Sequence, residues 1–475
     1  MKLDFNLIYL LGYKFFVYFS EAINSIIMKS LRFYLLSLVG LTTFFVSCAS
    51  DDDNYVTIPS QSILENRIVE LYGSKDALIQ PLAIDFNLIP NDPNNPITPA
   101  KVELGKMLFH ETGIAMNPNM EESMHMYSCA SCHHAKAGFQ SGILQGIGEG
   151  GNGFGINGEG RFKNVLYTES DLDVQPIRTP SVLNVAYQDV MLWNGQFGAT
   201  GTNQGTEANW TVGTPKETNN LGFEGIETQA IAGLDVHRLV IDEDFILNNS
   251  IYKELFDNAF SNIDESQRYS KLNGALAIAA YERTLLPNQA PFQQWLNGNE
   301  TAMNEQETKG ALLFFDDAKC FSCHSGPALN GMDFYALGMK DLAGDDILTV
   351  IDDGTKRGRG GFTNNPEDDY KFKTPQLYNL KDVTFFGHGG SLQSVEDVVR
   401  YKNNAIKENQ EVPQSQLAQL FTSLNLSDDD IDAITAFLEN GLYDSNLQRY
   451  VPEELPSGYC FPNADPMSSQ DMGCD

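Results

Sequence analysis

Two pentapeptides, Cys129-Ala-Ser-Cys132-His133 and Cys320-Phe-Ser-Cys323-His324, decide how this chain folds. In each, two thiols sit one helical turn apart with a histidine directly behind the second. This is the pattern of covalent c-type haem attachment, in which the thiols form thioethers to the haem vinyl groups and the histidine swings under the iron. A lone C-x-x-C would serve equally as a redox pair or half of a zinc site. A zinc site wants four thiolates together, whereas these pairs lie 191 residues apart and each ends in histidine. The motifs therefore predict two covalently bound haem c groups, attached at Cys129, Cys132, Cys320 and Cys323, with His133 and His324 as the iron ligands.

Outward from the motifs the sequence repeats. Thr179-Pro180-Ser-Val-Leu-Asn184 returns as Thr374-Pro375-Gln-Leu-Tyr-Asn379, an offset of 195 residues, and the same offset carries Trp193-Asn194-Gly195 onto His388-Gly389-Gly390. Two copies of one haem-binding unit follow. The expected fold is mainly α, with two cytochrome c-like haem domains in tandem at 96–290 and 291–450. Helical patterns run over 271–286, 304–315 and 394–403. Ser427 followed by Asp428, Asp429 and Asp430 reads as an N-cap with an acidic first turn, ahead of an apolar stripe at Ile431, Ile434, Phe437 and Leu438 and a stop at Gly441. The glycine-rich run 141–160 lacks the Lys-Ser/Thr end of a phosphate cradle and reads as a mobile loop beside the first haem. The insertion 198–223 reads as a surface loop near the same haem.

The 475 residues hold 31 basic and 63 acidic side chains, a formal charge of −32, which excludes the basic face that nucleic acid requires. Residues 28–48 have a basic start, a short apolar core and Cys48 after a small residue, like a bacterial lipoprotein signal; an uncleaved N-terminal anchor is the alternative. Residues 1–27 read as an extension upstream of a signal that begins at Met28. Removing 1–47, which carries four basic and two acidic side chains, leaves −34. Residues 48–95 would be a tether and N-terminal segment, with lipid on Cys48 holding the protein to the periplasmic side of the envelope; the Asp51-Asp52-Asp53 run leaves surface exposure open. Cys460 and Cys474 remain for a disulfide in the tail 451–475.

These motifs, together with Leu104-Gly-Lys-Met-Leu-Phe109, Arg178-Thr-Pro, Trp193-Asn-Gly-Gln196, Ala279-Ala-Tyr-Glu-Arg-Thr-Leu285 and His388-Gly-Gly-Ser391, resemble the bacterial di-haem cytochrome c peroxidase/MauG family. The resemblance implies an N-terminal haem that meets hydrogen peroxide, a C-terminal haem that receives electrons from a small cytochrome c or cupredoxin, and a tryptophan between them at Trp193. It leaves a homodimer open. The family's acid-base glutamate falls at Leu239 here, and Gly233 takes a proline's place. Glu227, Gln229 and His237 are therefore the candidates for proton transfer. The residue expected to ligate the second iron from its far side falls at Gly387, leaving His388, Met332, Met339 or no ligand. Arg178 stands where an asparagine of the family's calcium site is expected, which argues against calcium. Three functions remain in view: a peroxidase, a MauG-like oxidase that modifies a partner protein, and a di-haem electron carrier without peroxide chemistry.

Overall fold

Thr98 and Asn304 each open a helix by accepting a hydrogen bond from the backbone N–H three residues on, at Lys101 and Glu307. Those helices recur at matching places in a computed structural model that describes residues 60–474. The signal, Cys48 and the acidic run after it lie outside the described residues. The longer helices are α1 (Ser60–Tyr72), α2 (Pro99–His110), α3 (Gly225–Val236), α4 (Ser250–Ala259), α5 (Lys271–Glu282), α6 (Glu305–Phe315), α7 (Val395–Asn404), α8 (Asp428–Ala436) and α9 (Pro466–Met472). Among the described residues strand is limited to two antiparallel pairs of two-residue strands, β1 (Gly151–Asn152) with β2 (Phe162–Lys163) and β3 (Phe334–Tyr335) with β4 (Phe372–Lys373). The chain is mainly helical, as expected. No described helix is long and apolar enough to cross a membrane.

Helices α5, α6 and α7 begin within one residue of the positions that the pattern indicates, although α5 stops at Glu282. Ser427 caps α8 in a capping box with Asp430, and Ile431, Ile434, Phe437 and Leu438 are buried.

The same helix crossing occurs twice. A Cβ on Gly105 of α2 would lie 1.9 Å from the carbonyl oxygen of Ala277 and 2.9 Å from Cβ of Tyr281, both on α5. A Cβ on Gly310 of α6 would lie 1.9 Å from the carbonyl oxygen of Ala433 on α8 and 2.9 Å from Cβ of Phe437 just beyond it. Glycine is what allows each backbone pair to approach so closely. Around the first crossing a hydrophobic core gathers Leu104, Phe109, Ile278 and Tyr281, with Cys129 against it. Around the second, Phe314, Phe315, Ile434 and Phe437 form another core, with Cys320 against it. The ends of the chain exchange sides: Leu64 and Ile68 of α1 pack into the second core, and Leu447 and Tyr450 into the first.

The glycine-rich segment is tied down, contrary to its composition. Arg161, 5% exposed, donates to the carbonyls of Gly148 (2.8 Å) and Gly153 (3.3 Å). Asp471 of α9 accepts from the N–H groups of Phe154 and Gly155 at 2.9 and 2.8 Å, and Asp465 from Gly153 at 3.0 Å. The Cys460–Cys474 disulfide brackets this tail helix.

Candidate functional site

Each Cys-x-x-Cys-His segment winds one turn of 3-10 helix, Cys129–Ser131 and Cys320–Ser322. The N–H of each histidine returns to the carbonyl of the first cysteine, at 3.1 Å for His133 and 2.9 Å for His324. Those turns put Cys132 and His133 of the first motif and Cys320, Cys323 and His324 of the second on a shared cavity of about 750 Å³, while Cys129 lines a smaller cavity that Cys132 and His133 also border. None of the four thiols is in a disulfide. His133 Nδ1 lies 3.3 Å from the carbonyl oxygen of Phe139, and His324 Nδ1 lies 3.0 Å from that of Leu329 and 3.1 Å from that of Pro375. A carbonyl only accepts, so Nδ1 carries the proton and Nε2 keeps its lone pair. Free thiols and neutral imidazoles with uncommitted Nε2 are the donor set that two covalently attached haems require, and the residues present fit them.

Trp193, 7% exposed, lines the same cavity. Its indole N–H donates to the carbonyl of Arg178 at 2.8 Å, and its own carbonyl accepts from the N–H of Lys373 at 2.8 Å. Arg178 N–H in turn donates to the carbonyl of His388 at 3.0 Å. The residue before each Thr-Pro thus bonds to the Trp or His of the opposite copy, a reciprocal pair of contacts where the repeats meet. Asn184 and Asn379 both adopt left-handed backbone, φ 62° and 57°, and Gly195 and Gly390 share φ 66°.

Above the first motif, α3 presents Gln229, Gly233, Val236 and, just past its end, His237 to the cavity, residues three to four apart and so on one helical face. His237 Nδ1 is 2.9 Å from both carboxylate oxygens of Asp173. Burial pulls the ring's pKa down, but the charge and hydrogen bond of Asp173 outweigh it and hold the ring above its ordinary value. Asp173 reaches this position because residue 148 is glycine: a Cβ there would lie 2.3 Å from the carboxylate.

Glu227 is not brought to the cavity. It faces the other way on α3, where Arg283 donates to its two oxygens at 2.8 and 2.7 Å. Leu239 is buried in the first core. In the second copy His388 lines the cavity, stacks on Phe372 at 3.7 Å between ring centroids, and has Nε2 3.1 Å from Asp341 Oδ1. Met339 also lines it, and its sulfur lies 3.0 Å from where a Cβ on Gly387 would stand; Met332 is not among the lining residues.

Two residues near the first motif escaped sequence reasoning. Asp173 is 64 residues from its histidine and belongs to no motif; the glycine opposite it was the one signal of a close approach. Glu282, 4% exposed, borders a smaller cavity with Gln229, His237 and Cys129. One of its oxygens has no hydrogen-bond partner among the described residues, and burial followed by the charge of Glu227 pushes its pKa up to about 8. Its sign was a carboxylate within an otherwise apolar stretch of α5.

Residues 99–301 match the model of the family described as di-haem cytochrome c peroxidase. The chain is 27% identical over 314 residues to methylamine utilization protein MauG of Methylorubrum extorquens, a match covering 66% of this chain and 70% of that one. It is 26% identical over 370 residues to cytochrome c551 peroxidase of Pseudomonas aeruginosa, covering 78% and 86%. Among solved structures, a MauG-like protein associated with microbial copper homeostasis aligns over 76% of this chain and 95% of its own, with a TM-score of 0.53 at 20% identity, a likeness of fold.

Proposed function

From the match of residues 99–301 to the di-haem cytochrome c peroxidase model, we propose that the chain is a member of that family and reduces hydrogen peroxide to water with electrons from a small redox protein. The observation that carries this reading is His237, whose Nδ1 is held by Asp173 while Nε2 is left for the cavity that His133 also lines. When bound, the haems supply the iron at which peroxide is reduced and a store for one of the two electrons.

The protein's own groups manage protons and position. His237 Nε2 takes a proton from the nearer peroxide oxygen and returns it to the departing one, and Asp173 steadies the imidazolium formed between those events. Gln229, on the same helical face, is placed to hydrogen-bond the peroxide. His133 would hold the iron that meets peroxide and His324 the iron that receives electrons, with Trp193, on the wall of the same cavity, as the group that would relay electrons. The ring of His388 is engaged by Asp341, so Met339, which also lines the cavity, is the residue that would be freer to hold the second haem. The two cores are then the two haem domains.

An export signal over 28–48 would put the chain on the periplasmic side of the envelope, anchored by lipid on Cys48, and the −34 charge would draw a basic cytochrome c or cupredoxin. A second reading, an oxidase that modifies a partner protein, is favoured by Leu239 at the position of the family's acid. Steady-state peroxide consumption with a reduced small cytochrome c tests the choice. Wild-type turnover that falls about a hundredfold or more in His237→Ala supports the peroxidase with this acid-base group. No turnover with any small donor, alongside oxidation of a protein partner, would favour the oxidase.

A further inference from the structure

Two buried cations on the cavity wall have no anion. Arg178 and Lys373 are each 7% exposed and hold the same place in the repeat, immediately before Thr-Pro. Arg178 Nε donates to the carbonyl of Gly387 at 2.8 Å and Nη1 to Gln140 Oε1 at 2.6 Å, while Nη2 has no partner among the described residues. Lys373 Nζ donates to the carbonyl of Val190 at 2.9 Å and to the side-chain oxygen of Gln188. Every one of these acceptors is neutral. The carboxylate whose field reaches Lys373, Asp189, is engaged by Thr202 at 2.6 to 3.1 Å.

The other buried guanidinium groups are satisfied differently. Arg283 pairs with Glu224 and Glu227, and Arg161 with Asp465. Arg359 has three carbonyl acceptors and two aromatic faces, and it is not among the cavity residues. An uncompensated buried charge costs several kcal/mol, roughly, which a chain rich in carboxylates could have avoided. Desolvation accordingly drags Arg178 down to about 10 and Lys373 to about 7. The repetition of an unpaired cation in both copies, facing the cavity that both Cys-x-x-Cys-His turns border, points to an anionic ligand that is also present twice.

We propose that Arg178 and Lys373 are the protein's counter-charges for the haem propionates, one cation from each repeat. The carboxylates of the two haems are then gathered at the two residues that clamp Trp193, one through its indole N–H and the other through its carbonyl. This rests on the di-haem reading above.

The test uses the holoprotein with Arg178→Gln and Lys373→Met, and counts haem chemically before anything else. Resonance Raman spectra are recorded for the propionate bending band, which moves with hydrogen bonding to those carboxylates, and both midpoint potentials are titrated. Each variant should keep two haems, shift that band, and lower a midpoint, because a positive charge that favours the reduced haem is gone. Should either variant fail to accumulate, Gln140→Glu and Gln188→Glu neutralise the same cations in place without changing side-chain size, and should move band and midpoint in the same directions. Two haems with an unmoved band would overturn the inference and leave the family reading standing. A shift that depends on added phosphate or acetate would assign the cations to a free anion and overturn it as well. Fewer than two haems in the wild type would overturn the di-haem reading and this inference with it.

Discussion

Arg178 donates its backbone N–H to the carbonyl of His388 at 3.0 Å, and the equivalent residues Lys373 and Trp193 repeat the bond at 2.8 Å with the copies reversed. Each half of the molecule therefore fixes the aromatic or imidazole residue of the other. Trp193 is held at both ends of this exchange, which defines its place more tightly than burial alone would. Replacing Trp193 by Phe keeps the bulk and removes the indole N–H bonded to Arg178. The expected outcome is unchanged haem content, slower transfer of the second electron after peroxide is added, and little change in the first encounter with peroxide, measured by stopped-flow absorption.

Asp173→Asn should alter the pH profile of the peroxide reaction. With His237 acting as base, the rate falls as pH drops through the ring's pKa, because the protonated ring cannot accept. Asp173 holds that pKa above the ordinary value against burial and the nearby charge of Arg238. Without the carboxylate the acid limb moves to lower pH, while the plateau falls because the ring is no longer oriented. A limb that stays in place would remove the pair from the proton-transfer step.

Gly148→Ala provides the same test from the other side. The new Cβ would meet the Asp173 carboxylate at 2.3 Å, so the carboxylate must swing away from His237. Both variants should show the same displaced acid limb, with two haems retained.

The paired helix crossings predict a paired loss of stability. Gly105→Ala and Gly310→Ala each place a Cβ 1.9 Å from a carbonyl oxygen, so the helices must separate, at a cost of about 1–3 kcal/mol or more. Thermal melts should fall for both. Gly233→Ala is the control: its nearest neighbour would be 3.7 Å away, and the better helix former should leave the melting temperature equal or higher.

What could be read from sequence follows the range of the interactions. The haem turns are local, since thiol, thiol and imidazole are fixed within five residues, and the equivalence of Trp193 with His388 survives as a spacing of 195. The reciprocal bonds between the halves were not legible, because they join backbone atoms that carry no sequence signature. Glu227 was singled out by its register within a motif, yet α3 turns it toward Arg283. His237 was visible as a residue type, but Asp173 makes it chemically distinct and comes from a distant segment. The glycine run suggested motion by composition, while the residues restraining it, Arg161, Asp465 and Asp471, lie beyond the run and mostly at the far end of the chain.

The most direct test mixes the half-reduced holoprotein with stoichiometric hydrogen peroxide under anaerobic conditions and follows the absorption of both haems. Rapid oxidation of both, with turnover restored on adding a reduced small cytochrome c, is the predicted result. No reaction with peroxide, or a long-lived oxidised state that a small cytochrome c does not discharge, would contradict a peroxidase built around His133, His237 and Trp193.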